Sequence, residues 1–335
     1  MSATLLGSTL PLHEAFDAAL VDLDGVTYRG PDVVPGASAA LTAARDAGMS
    51  LVYVTNNASR TALDVAAHLT SVGIPATPDQ VFTAAQAAAA ILADRFAAGA
   101  RILVVGGAGL REAVEAVGMT IVESATDKPV AVVQGWSADV GWRQLAEASY
   151  AAREGAYFLA TNLDLTLPND RGMAPGNGSL VRVVATASGV EPESAGKPEP
   201  AMYVRAAERV GAARPLVVGD RLDTDLGGAR AAGFPGLLVL TGVSQALDAL
   251  RAAPGVRPSF IGESIAALGE AHPAPESRDG WWRVGEAAAR IVGGTLEWEG
   301  RRGIDRLRAG CAAAWAAADD GEAGHIEEGV EDGIW

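Results

Sequence analysis

Apolar runs of five or six residues alternate along the chain with Ala-rich stretches whose apolar positions recur at helical spacing. Residues 18–23, 50–55, 101–105, 130–134, 156–161, 215–219 and 236–240 are such runs. They are short for helices and too continuously apolar for strands with one wet face, so they predict strands buried on both faces. Each leads into a loop and then a helical pattern. That βαβ rhythm predicts parallel sheets with helices on both faces, an α/β fold. No short-period repeat interrupts it.

Beyond residue 270 the pattern changes. Residues 271–280 are polar and proline-rich and read as a linker. Trp281 and Trp282 follow, Thr295-Leu296-Glu297-Trp298-Glu299 alternates as a strand does, and Ile304, Leu307, Cys311 and Trp315 fall on one helical stripe. This predicts a short strand–helix extension. About forty residues cannot bury so much aromatic surface alone, so the extension must borrow a partner surface. Cys311 on that stripe reads as packing and not as chemistry. The end, residues 322–335, is acidic and reads as a mobile tail.

Composition narrows the function. The 335 residues suit two or three domains. A formal net charge of −15 should repel nucleic acid and anionic membranes, so neither is an expected partner. A phosphorylated ligand would need a local cationic site. A single cysteine rules out an intrachain disulfide and fits the cytoplasm. The first twenty residues lack Lys and Arg and carry Glu14 and Asp17, a poor secretory signal. No run reaches the ~18 apolar residues that crossing a bilayer requires, so no membrane insertion is expected.

Four polar signals sit at predicted strand tips. Asp22-Leu23-Asp24-Gly25-Val26 places two carboxylates at i and i+2, on one face of a strand end, where α/β folds bind ligands. An acidic turn is the plain alternative. A calcium loop is not, because its glycine belongs at the sixth position and Gly25 is at the fourth. Thr55, Asn56 and Asn57 end the next strand and open a helix, an arrangement suited to a phosphate or simply to a helix cap. Gly196-Lys197-Pro198 offers an ammonium able to neutralise a phosphate, with an ordinary solvated lysine as the alternative. Gly219-Asp220-Arg221-Leu222-Asp223-Thr224-Asp225 crowds three acids behind a buried strand. Like charges so close call for a cation or a donor network, and a hard divalent ion with oxygen ligands is the simple solution.

These four signals in this order resemble the haloacid dehalogenase superfamily of phosphatases. About thirty residues separate Asp24 from Thr55 and about 140 separate Thr55 from Lys197, room for an inserted α/β domain only in the second interval. The family calls such an insertion a C2 cap. The segments 160–164, 175–180 and 239–244 are similar to the subgroup of phosphoglycolate, pyridoxal, glycerol-3-phosphate and nitrophenyl phosphatases, and the resemblance covers roughly residues 14 to 270. It implies a Rossmann-like parallel-sheet core over 1–83 and 190–270 and a C2 cap over 84–189; the linker 271–280 and the extension with acidic tail over 281–335, read from the sequence pattern, lie beyond it.

The resemblance also implies chemistry. Asp22 attacks phosphorus and becomes an aspartyl phosphate. Asp24 protonates the leaving alkoxide and then activates water. Mg²⁺ is held by Asp22, the backbone carbonyl of Asp24 and Asp220, with Asp225 supporting the site from outside. Thr55, the backbone around Asn56 and Asn57, and Lys197 take phosphoryl charge, and Asn162, Asp164 and Arg171 lie toward the substrate. Asp223 carries no assigned role. The substrate class is a small phosphorylated metabolite. The appended segment tilts the reading toward glycerol 3-phosphate, with phosphoglycolate or a broad range of sugar, nucleotide and pyridoxal phosphates as the alternative. Caps of this kind often dimerise, which leaves a homodimer open. A reading of another class is an NAD(P)-binding protein, since strand 101–105 runs into Gly106-Gly107-Ala108-Gly109. Glu112, where a third glycine belongs, argues against it.

Overall fold

A computed structural model describes residues 4–169, 171–321 and 333–335. The chain divides into two compact units, Met1–Val52 with Ala207–Trp335, and Tyr53–Ala206. Residues 53–83 and 190–206, expected in the core on sequence grounds, group with the second unit.

In the first unit the strands Ala18–Val21, Pro215–Gly219, Gly236–Val239 and Phe260–Gly262 pair in parallel, with Val21 opposite Val218 and Leu237 opposite Phe260. Every residue of these strands is buried, which is why their sequences are continuously apolar and do not alternate. The strand Ser50–Thr55 lies on the other side of Ala18–Val21. The order of strands therefore reverses direction between Ala18–Val21 and Pro215–Gly219. In open α/β sheets the crevice beyond the carboxyl ends at such a reversal is the usual ligand site. Asp22 and Asp220 are the residues that follow these two strands, and the N–H of Asp22 still donates to the Val218 carbonyl at 2.9 Å. Phe260–Gly262 is too short for periodicity to predict.

The second unit holds its own five-stranded sheet, in the order Glu193–Ser194, Tyr157–Ala160, Ala131–Gln134, Arg101–Val105, Thr120–Val122, all parallel. Helices Trp142–Arg153 and Asn177–Ser188 supply Leu145, Ala148, Val181 and Val184 to a core with Leu103, Val132 and Phe158. Small residues on those helices let them lie close to the sheet. A hairpin, Thr166–Asn169 with Gly172–Pro175, follows the Tyr157–Ala160 strand.

The C-terminal region is richer than a strand–helix pair. Glu276–Arg278, Trp281–Val284, Ala287–Val292 and Thr295–Gly300 form a four-stranded antiparallel meander. Asp279-Gly280 and Gly293-Gly294 make two of its turns with positive φ throughout, the primed geometry that matches strand twist. Residues 271–280 are thus not a loose linker. Ser8 and His272 exchange backbone hydrogen bonds, and the first strand of the meander begins at Glu276. Helix Ile304–Asp319 buries Leu307, Cys311 and Trp315, the stripe read from the sequence. That stripe shares one core with Leu222, Leu226, Leu238, Leu250 and Ile261 beside the parallel sheet, and with Val284, Ala289 and Leu296 of the meander. Burial pushes the Cys311 thiol well above its usual range, so it stays a packed thiol. The acidic stretch 322–332 lies outside the described residues.

Candidate active site

Asp22, Asp220 and Asp225 each offer a carboxylate oxygen, and these three oxygens lie within 4.8 Å of one another. All three residues are buried, at 8%, 1% and 0% exposure. Three buried carboxylates this close repel strongly unless a cation stands among them, and hard oxygen donors suit a small divalent ion. The donor set therefore fits the metal expected from the sequence. It brings Asp225 into the acid cluster itself. The Asp225 carboxylate also accepts the Arg221 N–H at 3.1 Å. Asp223 is turned to another task. Arg221 grips it through Nε at 3.1 Å and Nη2 at 2.7 Å, and that hydrogen-bonded pairing holds the Asp223 carboxyl below its ordinary range.

Asp24 is exposed on a turn that the chain builds from the end of the strand. Thr27 donates to the Leu23 carbonyl through its backbone N–H at 2.9 Å and its hydroxyl at 2.8 Å, and Gly25 donates to Tyr28 at 2.7 Å. Gly25 has φ +88°, and a Cβ there would fall 2.5 Å from Asp220 Oδ2. Only glycine satisfies both demands.

A segment without an assigned role in the sequence completes this side. Thr241 donates its hydroxyl to the Gly25 carbonyl at 2.7 Å. Val243 N–H donates to Asp220 Oδ2 at 2.7 Å, Ser244 N–H to the Asp220 carbonyl at 2.9 Å, and the Leu222 N–H to Ser244 Oγ at 3.1 Å. Residues 241–244 thus tie the turn carrying Asp24 to the loop carrying Asp220. The cue was the resemblance of segment 239–244. Its hold on Asp220 was illegible because the donors there are the backbone N–H groups of Val243 and Ser244, which leave no mark on side-chain identity.

The remaining expected residues gather within the second unit. Thr55 is buried, and its Oγ1 accepts the Asn57 N–H at 3.1 Å. Asn57 Oδ1 accepts from Ser59 N at 2.9 Å, Ser59 Oγ at 3.0 Å and Arg60 N at 3.3 Å, the local cap that was the alternative to a phosphate contact. Lys197 is only 6% exposed, which excludes a solvated surface lysine. Asn56 hydrogen-bonds the backbone of Lys197, Asn162 donates to the Asn56 carbonyl, and the Asp164 carboxylate accepts from Asn56. Arg171 is exposed on the hairpin, its backbone N–H on Asn169 Oδ1 at 2.9 Å.

The glycine turn after Arg101–Val105 is filled by the chain itself. A Cβ at Gly109 would lie 2.2 Å from the Arg60 carbonyl oxygen, and the Gly109 N–H donates to the Ser59 carbonyl at 3.1 Å. Backbone stands where a dinucleotide pyrophosphate would have to approach.

Comparison with known proteins agrees with this geometry. A family model described as haloacid dehalogenase-like hydrolase matches residues 19–120, and a HAD-hydrolase-like model matches residues 194–268. The chain belongs to the haloacid dehalogenase-like hydrolases. It is 48% identical over 257 residues to D-glycerol 3-phosphate phosphatase of Mycobacterium tuberculosis, covering 77% of this chain and 72% of that protein. It is 37% identical to 5'-nucleotidase YutF of Bacillus subtilis, covering 69% of this chain and 90% of that one. Among solved structures, glycerol phosphate phosphatase Rv1692 from Mycobacterium tuberculosis in complex with magnesium matches with a TM-score of 0.85 at 43% identity, covering 93% of both chains. A thermostable NPPase from Geobacillus stearothermophilus matches with a TM-score of 0.69 at 33% identity, covering 75% of this chain and 97% of that one. Among the described residues, no helix is long and apolar enough to cross a membrane.

Proposed function

We propose that this protein is a magnesium-dependent phosphatase of small phosphomonoesters, with glycerol 3-phosphate as its preferred substrate. The observation that carries the reading is the buried cluster of Asp22, Asp220 and Asp225 at the point where the strand order reverses. Asp22, Asp220 and the Asp24 carbonyl would hold the magnesium ion, with Asp225 beside them, and when bound it would neutralise charge shared by nucleophile and phosphoryl group. The Asp22 carboxylate oxygen forms a bond to phosphorus as the bond to the leaving oxygen breaks. Asp24 gives that oxygen its proton, then takes one from the water that cleaves the aspartyl phosphate. Its exposed turn gives it access to both. Lys197 and Thr55 balance the remaining phosphoryl charge.

Two observations support glycerol 3-phosphate over its competitors. The relative with that activity is 48% identical, against 37% for the 5'-nucleotidase. The glycerol phosphate phosphatase structure spans 93% of this chain, whereas the NPPase leaves a quarter of it unmatched. The limits 84–189 for a cap domain, a homodimer and a cytoplasmic location belong to the same proposal. A panel of glycerol 3-phosphate, 2-phosphoglycolate, p-nitrophenyl phosphate and a nucleoside monophosphate, compared by kcat/KM with magnesium and after chelation, tests it. Glycerol 3-phosphate should lead, and chelation should abolish turnover. A nucleotide hydrolysed about a hundredfold better, a gap of ~2.7 kcal/mol in transition-state stabilisation, would refute the substrate. Full turnover without metal would refute the mechanism.

A further inference from the structure

The side chain of Asn56 has no N–H left to offer a phosphate. Its Nδ2 donates to Asp164 Oδ2 at 3.1 Å and to the Lys197 carbonyl at 3.2 Å, which uses both hydrogens. Its Oδ1 accepts the Lys197 N–H at 2.8 Å. The amide therefore grips the backbone of Lys197 from both sides, as one strand of a ladder grips another. Its own backbone is held in turn, because Asn162 Nδ2 donates to the Asn56 carbonyl at 2.9 Å. The approach is close. A Cβ on Gly196 would fall 2.6 Å from Asn56 Oδ1 and 2.4 Å from the Thr161 carbonyl, so glycine before the lysine is what lets the clamp shut.

Asp164 sets the direction of this amide. An amide can turn over and exchange its oxygen and nitrogen at little cost unless its partners differ in polarity. Here the Lys197 N–H can only donate, while the Lys197 carbonyl and the Asp164 carboxylate only accept. Asp164 is itself fixed. Its N–H donates to Asn162 Oδ1 at 3.2 Å, its carbonyl accepts the Gly178 N–H at 2.8 Å, and a Cβ at Gly176 would lie 2.3 Å from that carbonyl oxygen.

We infer that Asn56 is a positioning residue that sets Lys197, and that Asp164 acts through it as the key that fixes the amide's orientation. This rests on the phosphatase reading above and reassigns two residues expected to touch substrate. Lys197 meets the phosphoryl group, which every substrate shares. A fault in its placement should therefore cost all substrates alike.

The experiment measures kcat/KM for glycerol 3-phosphate and p-nitrophenyl phosphate across Asn56→Ala, Lys197→Ala, their double variant, Asn56→Asp, and Asn56→Asp with Asp164→Asn. Asn56→Ala should lose about 100-fold on both compounds, the scale of a misplaced catalytic group. In the Lys197→Ala background it should cost less than about threefold, because the group it positions is gone. Asn56→Asp keeps the shape but sets a carboxylate against Asp164. Adding Asp164→Asn restores a donor–acceptor pair of reversed polarity and should recover about tenfold. Losses that multiply in the double variant would overturn the inference. So would a loss on one compound at least about tenfold larger than on the other, since the amide would then be touching the leaving group. If Asn56→Ala does not fold, the isosteric Asn56→Asp pair decides: no recovery overturns the inference. A wild-type protein that hydrolyses neither compound fails the phosphatase reading instead, and the two failures are distinct.

Discussion

Val243 donates its backbone N–H to Oδ2 of Asp220 at 2.7 Å. The bond fixes one oxygen of a carboxylate in the buried acid cluster. Gly242 makes it possible by leaving the space: a Cβ at that position would stand 1.9 Å from the same Oδ2, and no positive φ is involved, so the requirement is purely one of room. Gly242→Ala must displace the Asp220 carboxylate from its place in the acid cluster. The expected result is a loss of kcat/KM of about 100-fold or more. The magnesium concentration for half-maximal activity should rise, with little change in Tm. Magnesium titration of activity checks this. An unchanged titration curve would mean that Asp220 does not need this position.

The C-terminal helix should matter to stability and not to chemistry. Trp315 is 2% exposed, and its indole N–H donates to the Ala249 carbonyl at 3.0 Å. Arg257 reaches Asp319 at 2.8 Å and 2.9 Å. Trp315→Ala should destabilise the fold by about 3–5 kcal/mol, the usual cost of truncating a buried tryptophan. Truncation at residue 272 should expose the Leu222, Leu250 and Ile261 surface and reduce solubility. Chemical denaturation with parallel kinetics checks both. The soluble folded fraction should keep its kcat within about threefold, because the residues assigned to the reaction precede residue 226.

A pH dependence follows from His272. Arg308 Nη2 lies 3.1 Å from its Nδ1 and can only donate, so Nδ1 accepts and Nε2–H donates to the Ala267 carbonyl at 3.1 Å. The ring is the neutral tautomer. Burial first, and the Arg308 charge second, lower its pKa from 6.5 to about 4. The unfolded chain then binds a proton that the folded chain refuses, so this residue's contribution is full above about pH 6.5 and falls away toward pH 4. His272→Gln keeps a donor and an acceptor but does not titrate. Tm measured from pH 7 to pH 4 should fall more steeply in the wild type than in the variant. Parallel curves would contradict the assignment.

Much of this was legible in the sequence, for definite reasons. Strands buried on both faces must be apolar throughout, so the runs at 18–23, 215–219 and 236–240 announced themselves. Asp22 and Asp220 were marked by their position at strand ends, and Lys197 by the Gly196 and Pro198 on either side of it. The meander was missed although Asp279-Gly280 and Gly293-Gly294 are hairpin signals. Of the two strands between them, Ala287–Val292 is alanine-rich, and alanine reads as helix until a sheet gives it neighbours. The clamp on Lys197 was illegible for another reason. Asn56 and Asp164 stand 108 residues apart, and hydrogen-bond direction is a property of the folded geometry.

The central claim, that Asp22 is the nucleophile of a magnesium-dependent glycerol 3-phosphate phosphatase, is met most directly by trapping the intermediate. Enzyme turning over glycerol 3-phosphate with magnesium is quenched in acid within milliseconds and reduced with borohydride, which converts an aspartyl phosphate to homoserine. Peptide mass spectrometry should find homoserine at position 22, absent when magnesium is chelated before mixing and absent in Asp22→Asn. Turnover with no modification at Asp22, or homoserine at another aspartate, would contradict the account.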